Sequence, residues 1–289
     1  MTQAALPAAR PWSSARSWAT GLPLSGKIGL ALVVFWLLVA LIGPALAPYS
    51  TGAFVTYDVF EGSSPQHWLG SDYLGRDVLS RLLAGARYTV GLALAASLLA
   101  VVTGTGLALF ATVSGRWIDE SLSRFMDTLI SIPSRIFALV LIAAFGSSLA
   151  LLLLILALTY VAGNYRIARS LAVNLDKMDY VQVARARGEG RAYVAITEIL
   201  PNMIHPLLAD FGLRFMFIVL LLSGLSFLGL GVQPPDADLG SLVLENLSGL
   251  PEGALAILMP AVAIATLTVG VNLLIDALPA RTRRMGGEG

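Results

Sequence analysis

Apolar residues run along this chain in long unbroken stretches and do not alternate with polar ones. A helix needs about 20 consecutive apolar residues to cross the ~30 Å hydrocarbon core of a bilayer. Such stretches lie at about 28–47, 88–113, 118–145, 149–168, 206–230 and 254–278. They predict an all-α polytopic membrane protein with six transmembrane helices. Asp127 and Arg135 fall in the first half of the third stretch, and Gly146-Ser147-Ser148 separates the third from the fourth. Ala45-Leu46-Ala47 at the end of the first stretch imitates a signal-peptide cleavage site. That stretch is longer than the usual h-region of about 7–15 residues, and Pro48 follows it directly, so it reads as a retained span.

Composition agrees with lipid as the solvent. The 289 residues are 56% hydrophobic and only 13% charged, whereas ordinary soluble domains carry about 25% charged residues. There are no cysteines, which excludes disulfides, thiolate metal sites and a Cys nucleophile. The two histidines, His67 and His205, have no metal-ligand spacing. A net charge of +1 gives no basic excess that would point to nucleic acid.

The placement of the charges is more informative than their number. With a cytoplasmic N-terminus, fourteen Lys/Arg fall in inside segments and three, Arg76, Arg81 and Arg87, in outside segments. Lys and Arg concentrate on the cytoplasmic side of membrane proteins, so both termini are expected to be cytoplasmic. The organisation that follows is a disordered tail at 1–26, rich in Ala, Pro and Ser, and a first span at 27–47. An outside loop at 48–87, a core of five helices at 88–280 and a tail at 281–289 complete it. Small residues recur at four-residue spacing in Gly91/Ala95, Ala96/Ala100 and Gly104/Ala108. Such rows let helices pack closely, within one bundle or at a subunit interface.

Two loops are too long to be simple connectors. In the inside loop, 166–202, Asp179 reads as an N-cap of a helix through Tyr180, Val181, Ala184, Arg185 and Ala186. Gly188 and Gly190 break it, and a second helical run, 191–200, is expected to end at Pro201-Asn202. A helix, a turn and a helix projecting from the membrane suit a groove on a soluble partner. In the outside loop, Asp77 and Arg81 stand four apart, the favourable order for a helical ion pair. Leu74, Val78, Leu82 and Leu83 then form the apolar face of an amphipathic helix lying along the membrane surface. Inside the fifth stretch, Asp210 and Arg214 are also four apart. A charge at mid-bilayer costs about 2.5–3.5 kcal/mol on insertion scales, so the two either neutralise each other or face a water-filled path. Arg135 and Asp276 are expected near the inner ends of their spans, where long side chains snorkel.

Four ordered blocks carry a resemblance. Ala184-Arg185-Ala186-Arg187-Gly188 followed by Pro201-Asn202 resembles the EAA loop of ABC importer permeases, with Val183 and Glu198 departing from the usual residues. His67 to Leu82, with Leu69, Gly70, Asp72, Gly75, Arg76, Asp77 and Arg81, resembles a segment of the C-type permeases of dipeptide, oligopeptide and nickel importers. Leu225 to Pro235 and Asn272 to Asp276 are similar to two further blocks of that family. The resemblance implies a type I importer permease fold in the bacterial inner membrane, with the EAA loop as a coupling helix. It also implies partners: a B-type permease completing a heterodimeric pore, two ATPase subunits and an extracytoplasmic solute-binding protein.

The chain contains no P-loop, because neither Lys27 nor Lys177 completes the G-x-x-x-x-G-K-[ST] pattern. No cofactor is expected in this chain, and ATP and Mg are expected on the partner ATPases. The reading is therefore a non-enzymatic transport subunit for peptides or similar solutes such as nickel chelates. Its alternative is a gradient-driven secondary transporter, and an intramembrane enzyme is disfavoured by the lack of a nucleophile–base pair.

Overall fold

The computed structural model describes residues 22–286 as a bundle of helices, with two isolated β-bridges and no longer strand among those residues. The helices are α1 (Leu24–Leu46), α2 (Val78–Ser114), α3 (Arg116–Ser131), α4 (Ser134–Phe145) and α5 (Leu149–Asp176). They continue with α6 (Asp179–Ala186), α7 (Arg191–Phe227), α8 (Leu239–Glu245) and α9 (Leu255–Gly286). Five of them, α1, α2, α5, α7 and α9, are long and apolar enough to cross a membrane, and the bent pair α3–α4 makes a sixth.

Small side chains set the packing. On α2, Ala96, Ala100, Gly104 and Ala108 are buried, while Gly91 and Ala95 are exposed. The buried row faces α5 and lets the two longest-packed helices approach closely. Trp36 of α1 donates to the Thr266 hydroxyl of α9 at 3.1 Å, pinning the first helix to the last.

Several boundaries differ from those the sequence suggests. The expected tail 1–26 lies mostly outside the described residues, but α1 already begins at Leu24. At the other end α9 runs on to Gly286, into the expected 281–289 tail. No separate amphipathic helix exists in 48–87. Asp77 is instead the N-cap of the 37-residue α2, and residues 78–87 are the first turns of that span. Leu74 stays outside the helix and is exposed. The third span is not straight: α3 and α4 meet at 90°. Pro133 has no N–H to donate and pushes Ile132 into extended backbone (φ −84°, ψ 124°), so the helix cannot continue through it.

Pro201 has the opposite outcome and does not end its helix. The six residues Val194–Ile199 form a π-helical segment that runs through Leu200 directly into the rest of α7. The wider i→i+5 turn absorbs the missing proline N–H and the ring's steric demand.

Candidate functional site

Three polar assemblies stand out in this apolar bundle. The first locks one end of it. Asp72 Oδ1 accepts the backbone N–H groups of Leu74 (2.9 Å) and Arg76 (2.8 Å). Its Oδ2 accepts Arg76 Nε and Arg81 Nη1, both at 2.7 Å. Glu245 Oε2, on α8, accepts Arg76 Nη2 at 3.0 Å and Arg81 Nη1 at 2.7 Å. Two guanidinium and two carboxylate groups thus close a neutral, largely buried quartet between the 48–77 loop, α2 and α8. Gly70 makes the loop possible: its φ is +75°, and a Cβ there would lie 2.0 Å from the Glu61 carbonyl oxygen. Gly75 takes a similar turn with φ +72°. Leu69 packs against the main core.

The expected Asp77–Arg81 pair does not form. Asp77 Oδ2 instead accepts Ser80 N (2.8 Å) and Ser80 Oγ (2.6 Å), as an N-cap does, and its Oδ1 faces His67 Nδ1 at 3.6 Å. An N-cap side chain is turned back over the first turn, away from the residue four positions on. Glu245 was not marked by the sequence as a partner of Arg81. The available signal was a loop, 231–253, with acids and no basic residue, which could receive the arginines of the 48–87 segment.

The same end holds a second tie. Asp238 caps α8 and accepts from Gly240 N, Ser241 N, Val232 N and Ser226 Oγ. Burial pushes its carboxyl up, and the four donors hold it down. Asn246 Oδ1 accepts Tyr73 N at 3.1 Å, which closes the loop onto the segment after α8.

The second assembly is the arm at the opposite end. On α6, Val181 and Ala184 are fully buried, against a cluster that includes Val194, Ala195, Ile199 and Met203. Met178, not Asp179, is the N-cap, and Asp179 occupies the first turn, where its charge suits the helix dipole. Arg185 pairs with Asp176. Gly188 turns the chain with φ +86° and has open space around it. Asn202 Nδ2 reaches Tyr180 Oη at 3.3 Å and the Glu198 carbonyl at 2.7 Å, so the Pro201-Asn202 pair does meet α6. Outside these ties Tyr180, Val183, Ala186 and Arg187 form an exposed face of mixed apolar and basic character.

The third assembly crosses the middle of the bundle. Arg214 Nη2 and Nε reach Asp210 at 3.0 and 3.3 Å. Asn164 Nδ2 donates to Asp210 Oδ2 at 2.7 Å, and Thr105 Oγ1 reaches Asn164 Oδ1 at 3.2 Å. The chain links α7, α5 and α2. Asp210 and Arg214 therefore neutralise each other, and Asp210 is nearly inaccessible, with 3% of its side chain exposed against 13% for Arg214.

Arg135 does not sit near the end of a straight span. It stands in the first turn of α4, ten residues before Phe145. At 1.5 Å per residue this is about 15 Å from the helix end, and Arg135, like the residues on either side of it, is exposed on the surface of this chain.

The comparisons with known proteins agree on one type. Residues 100–284 match the family described as binding-protein-dependent transport system inner membrane component. The dipeptide transport system permease protein of Alkalihalophilus pseudofirmus is 30% identical over 251 residues, 87% of this chain and 83% of the relative. The glutathione transport system permease protein of Pectobacterium atrosepticum is 30% identical over 250 residues, 86% of this chain and 81% of the relative. The dipeptide transport system permease protein of Haemophilus influenzae is 29% identical over 257 residues, covering 87% of each chain.

Proposed function

Because this chain belongs to the family of binding-protein-dependent transport system inner membrane components, we propose that it forms half of the membrane path of an ATP-driven importer for peptides or similar small solutes. A B-type permease supplies the other half, two ATPase subunits bind ATP and Mg, and a solute-binding protein delivers cargo. The lock end is extracytoplasmic, and the arm end, with both termini, is cytoplasmic. This chain makes and breaks no bond. It converts closure of the ATPases into a rocking of helices between outward-open and inward-open states.

The observation that carries this reading is the arm. Its inner face, Val181 and Ala184, is fixed to the root of α7. Its outer face, Tyr180, Val183 and Arg187, is left uncovered. A short helix held on one side only passes a push on its free side directly to a long span, here α7. That span also carries Asp210 and Arg214, so a push at the arm is aimed at the polar chain in the bundle's middle. Asp210 holds the charge balance, and Arg214, the more accessible of the pair, faces the path.

Uptake of labelled dialanine into vesicles holding the assembled transporter tests this. Uptake should require ATP and survive collapse of proton and sodium gradients, and Arg214→Ala should lower it several-fold with assembly unchanged. Gradient-driven uptake without the ATPases overturns the importer reading.

A further inference from the structure

Beside the bend between α3 and α4 the surface of the bundle holds an open cleft of about 320 Å³. Arg135 contributes its only charge, and the other lining residues are apolar, among them Leu139 of α4, Leu221 of α7 and Leu228 just beyond that helix. That volume is within the range of small-ligand sites, about 300–1,000 Å³. Arg214 has Asp210 as its partner. Arg135 has no carboxylate within ion-pair distance among the described residues. Its position in the first turn of α4 is also one where the helix dipole disfavours a cation. A charged side chain within a membrane span faces a partner or a water-filled path and not lipid.

The surroundings narrow the chemistry of that partner. Arg135 lies ten residues, about 15 Å, before the end of α4 at Phe145. Tyr160 stacks on Phe217, with centroids 6.3 Å apart and planes at 8°, and donates to the Phe217 carbonyl at 3.2 Å. Tyr160 lies eleven residues beyond Leu149 on α5, or about 16 Å from that helix end at 1.5 Å per residue. This is close to half of a ~30 Å hydrocarbon core. Arg135 therefore stands near mid-depth, exposed on this chain's surface, at the edge of an apolar cleft that runs from it toward the last turn of α7. Snorkelling to a lipid headgroup is out of reach from there. A guanidinium presents paired N–H donors that match a carboxylate.

We propose that Arg135 is a contact for the carboxylate of the cargo as it passes through the bundle. The cavity of Leu139, Leu221 and Leu228 receives the apolar part behind that group. The proposal rests on the importer reading above and sharpens it by naming the part of the cargo this chain holds.

The chain has no native cysteine, so one introduced thiol reports on the cavity alone. In the fully assembled transporter, Leu221→Cys is treated with a neutral hydrophilic methanethiosulfonate, with or without dialanine, dialanine amide or acetate. The thiol should react, dialanine should slow the reaction at least threefold, and dialanine amide should not. Arg135→Gln should abolish the protection, and Arg135→Lys should retain part of it. A thiol that never reacts removes the cavity from the path, and the path reading with it. Reaction that is unprotected by both dialanine and acetate overturns the carboxylate site alone. So does protection that persists undiminished in Arg135→Gln. If Arg135→Gln blocks assembly while Arg135→Lys assembles and is protected by dialanine and amide alike, the arginine serves the subunit contact and the proposal fails.

Discussion

The two ends of this molecule are built on opposite terms. At the lock end the buried quartet of Asp72, Arg76, Arg81 and Glu245, the Asp238 cap and two glycine turns tie the 48–77 loop, α2 and α8 into one piece. Nearly every polar atom there has a partner, and backbone and side chain hold one another. At the arm end a short helix is fixed along one face, its glycine turn lies in open space, and the exposed face carries apolar and basic groups together. The lock is specified by contacts within the chain. The arm is fixed within the chain along one face only. A transporter that rocks helices needs both: one end that keeps its shape while the other is pushed.

If the lock tolerates change, the two ends do not differ in kind. Gly70→Val is expected to have the largest effect of all. It puts a β-branched residue at φ +75° and drives its Cβ into the Glu61 carbonyl. The full transporter should fail to accumulate, as judged by size-exclusion of the detergent-extracted complex. Asp72→Ala follows. Removing one member of a buried ion network leaves its partners uncompensated and costs about 3–5 kcal/mol. Two backbone N–H groups also lose their acceptor. Thermal aggregation of the extracted complex should begin markedly lower. Asp72→Ala with Arg81→Ala should be less damaging than the sum of the two single changes, and strict additivity would show that the quartet does not act as a unit.

How much of this was legible in the sequence depends on where the information lies. The apolar spans and the short helix and glycine turn of the arm were readable, because apolar run length and glycine punctuation are local. Pro133 and Pro201 show the limit. By local rule both are prolines that end a helix, yet one breaks its helix at 90° and the other sits within a helix. What separates them is whether the preceding backbone can widen into a π-turn, which packing decides. The partner of Arg81 was hidden for a similar reason. Asp77 was near in sequence, but Glu245 is the residue the fold brings to it, from 164 positions away. The cavity at Arg135 depends on the same bend and could not be read from the chain alone.

At the arm the expected effects are smaller and of another kind. Gly188→Val strains a left-handed turn but meets no neighbour, so the penalty is that of backbone conformation, about 1–3 kcal/mol. Gly188→Asp should be milder, because Asp tolerates this region better than a β-branched residue. Transport-coupled ATP hydrolysis should fall in the order wild type, Asp, Val, with the assembled complex present throughout. A Val variant that couples like wild type would show that the turn's geometry is not what the ATPase reads.

The last test separates the two terms within a single helix. Val181 and Val183 are chemically identical and two positions apart on α6, but Val181 is fully buried and Val183 is 56% exposed. Val181→Asp places a charge among Val194, Ile199 and Met203 and should unfold the arm, lowering thermal stability and coupling together. Val183→Asp touches nothing within the chain, and surface changes of this kind stay within about ±0.5 kcal/mol of stability. If the exposed face is where the ATPase docks, the same change puts a bare carboxylate into that contact, where the loss of one anchoring residue costs about 2 kcal/mol or more. Coupled ATP hydrolysis should then drop at least tenfold at unchanged thermal stability. Equal behaviour of the two variants, whether both inert or both unfolding, would mean that the arm is a rigid extension of the lock and that its free face meets only water.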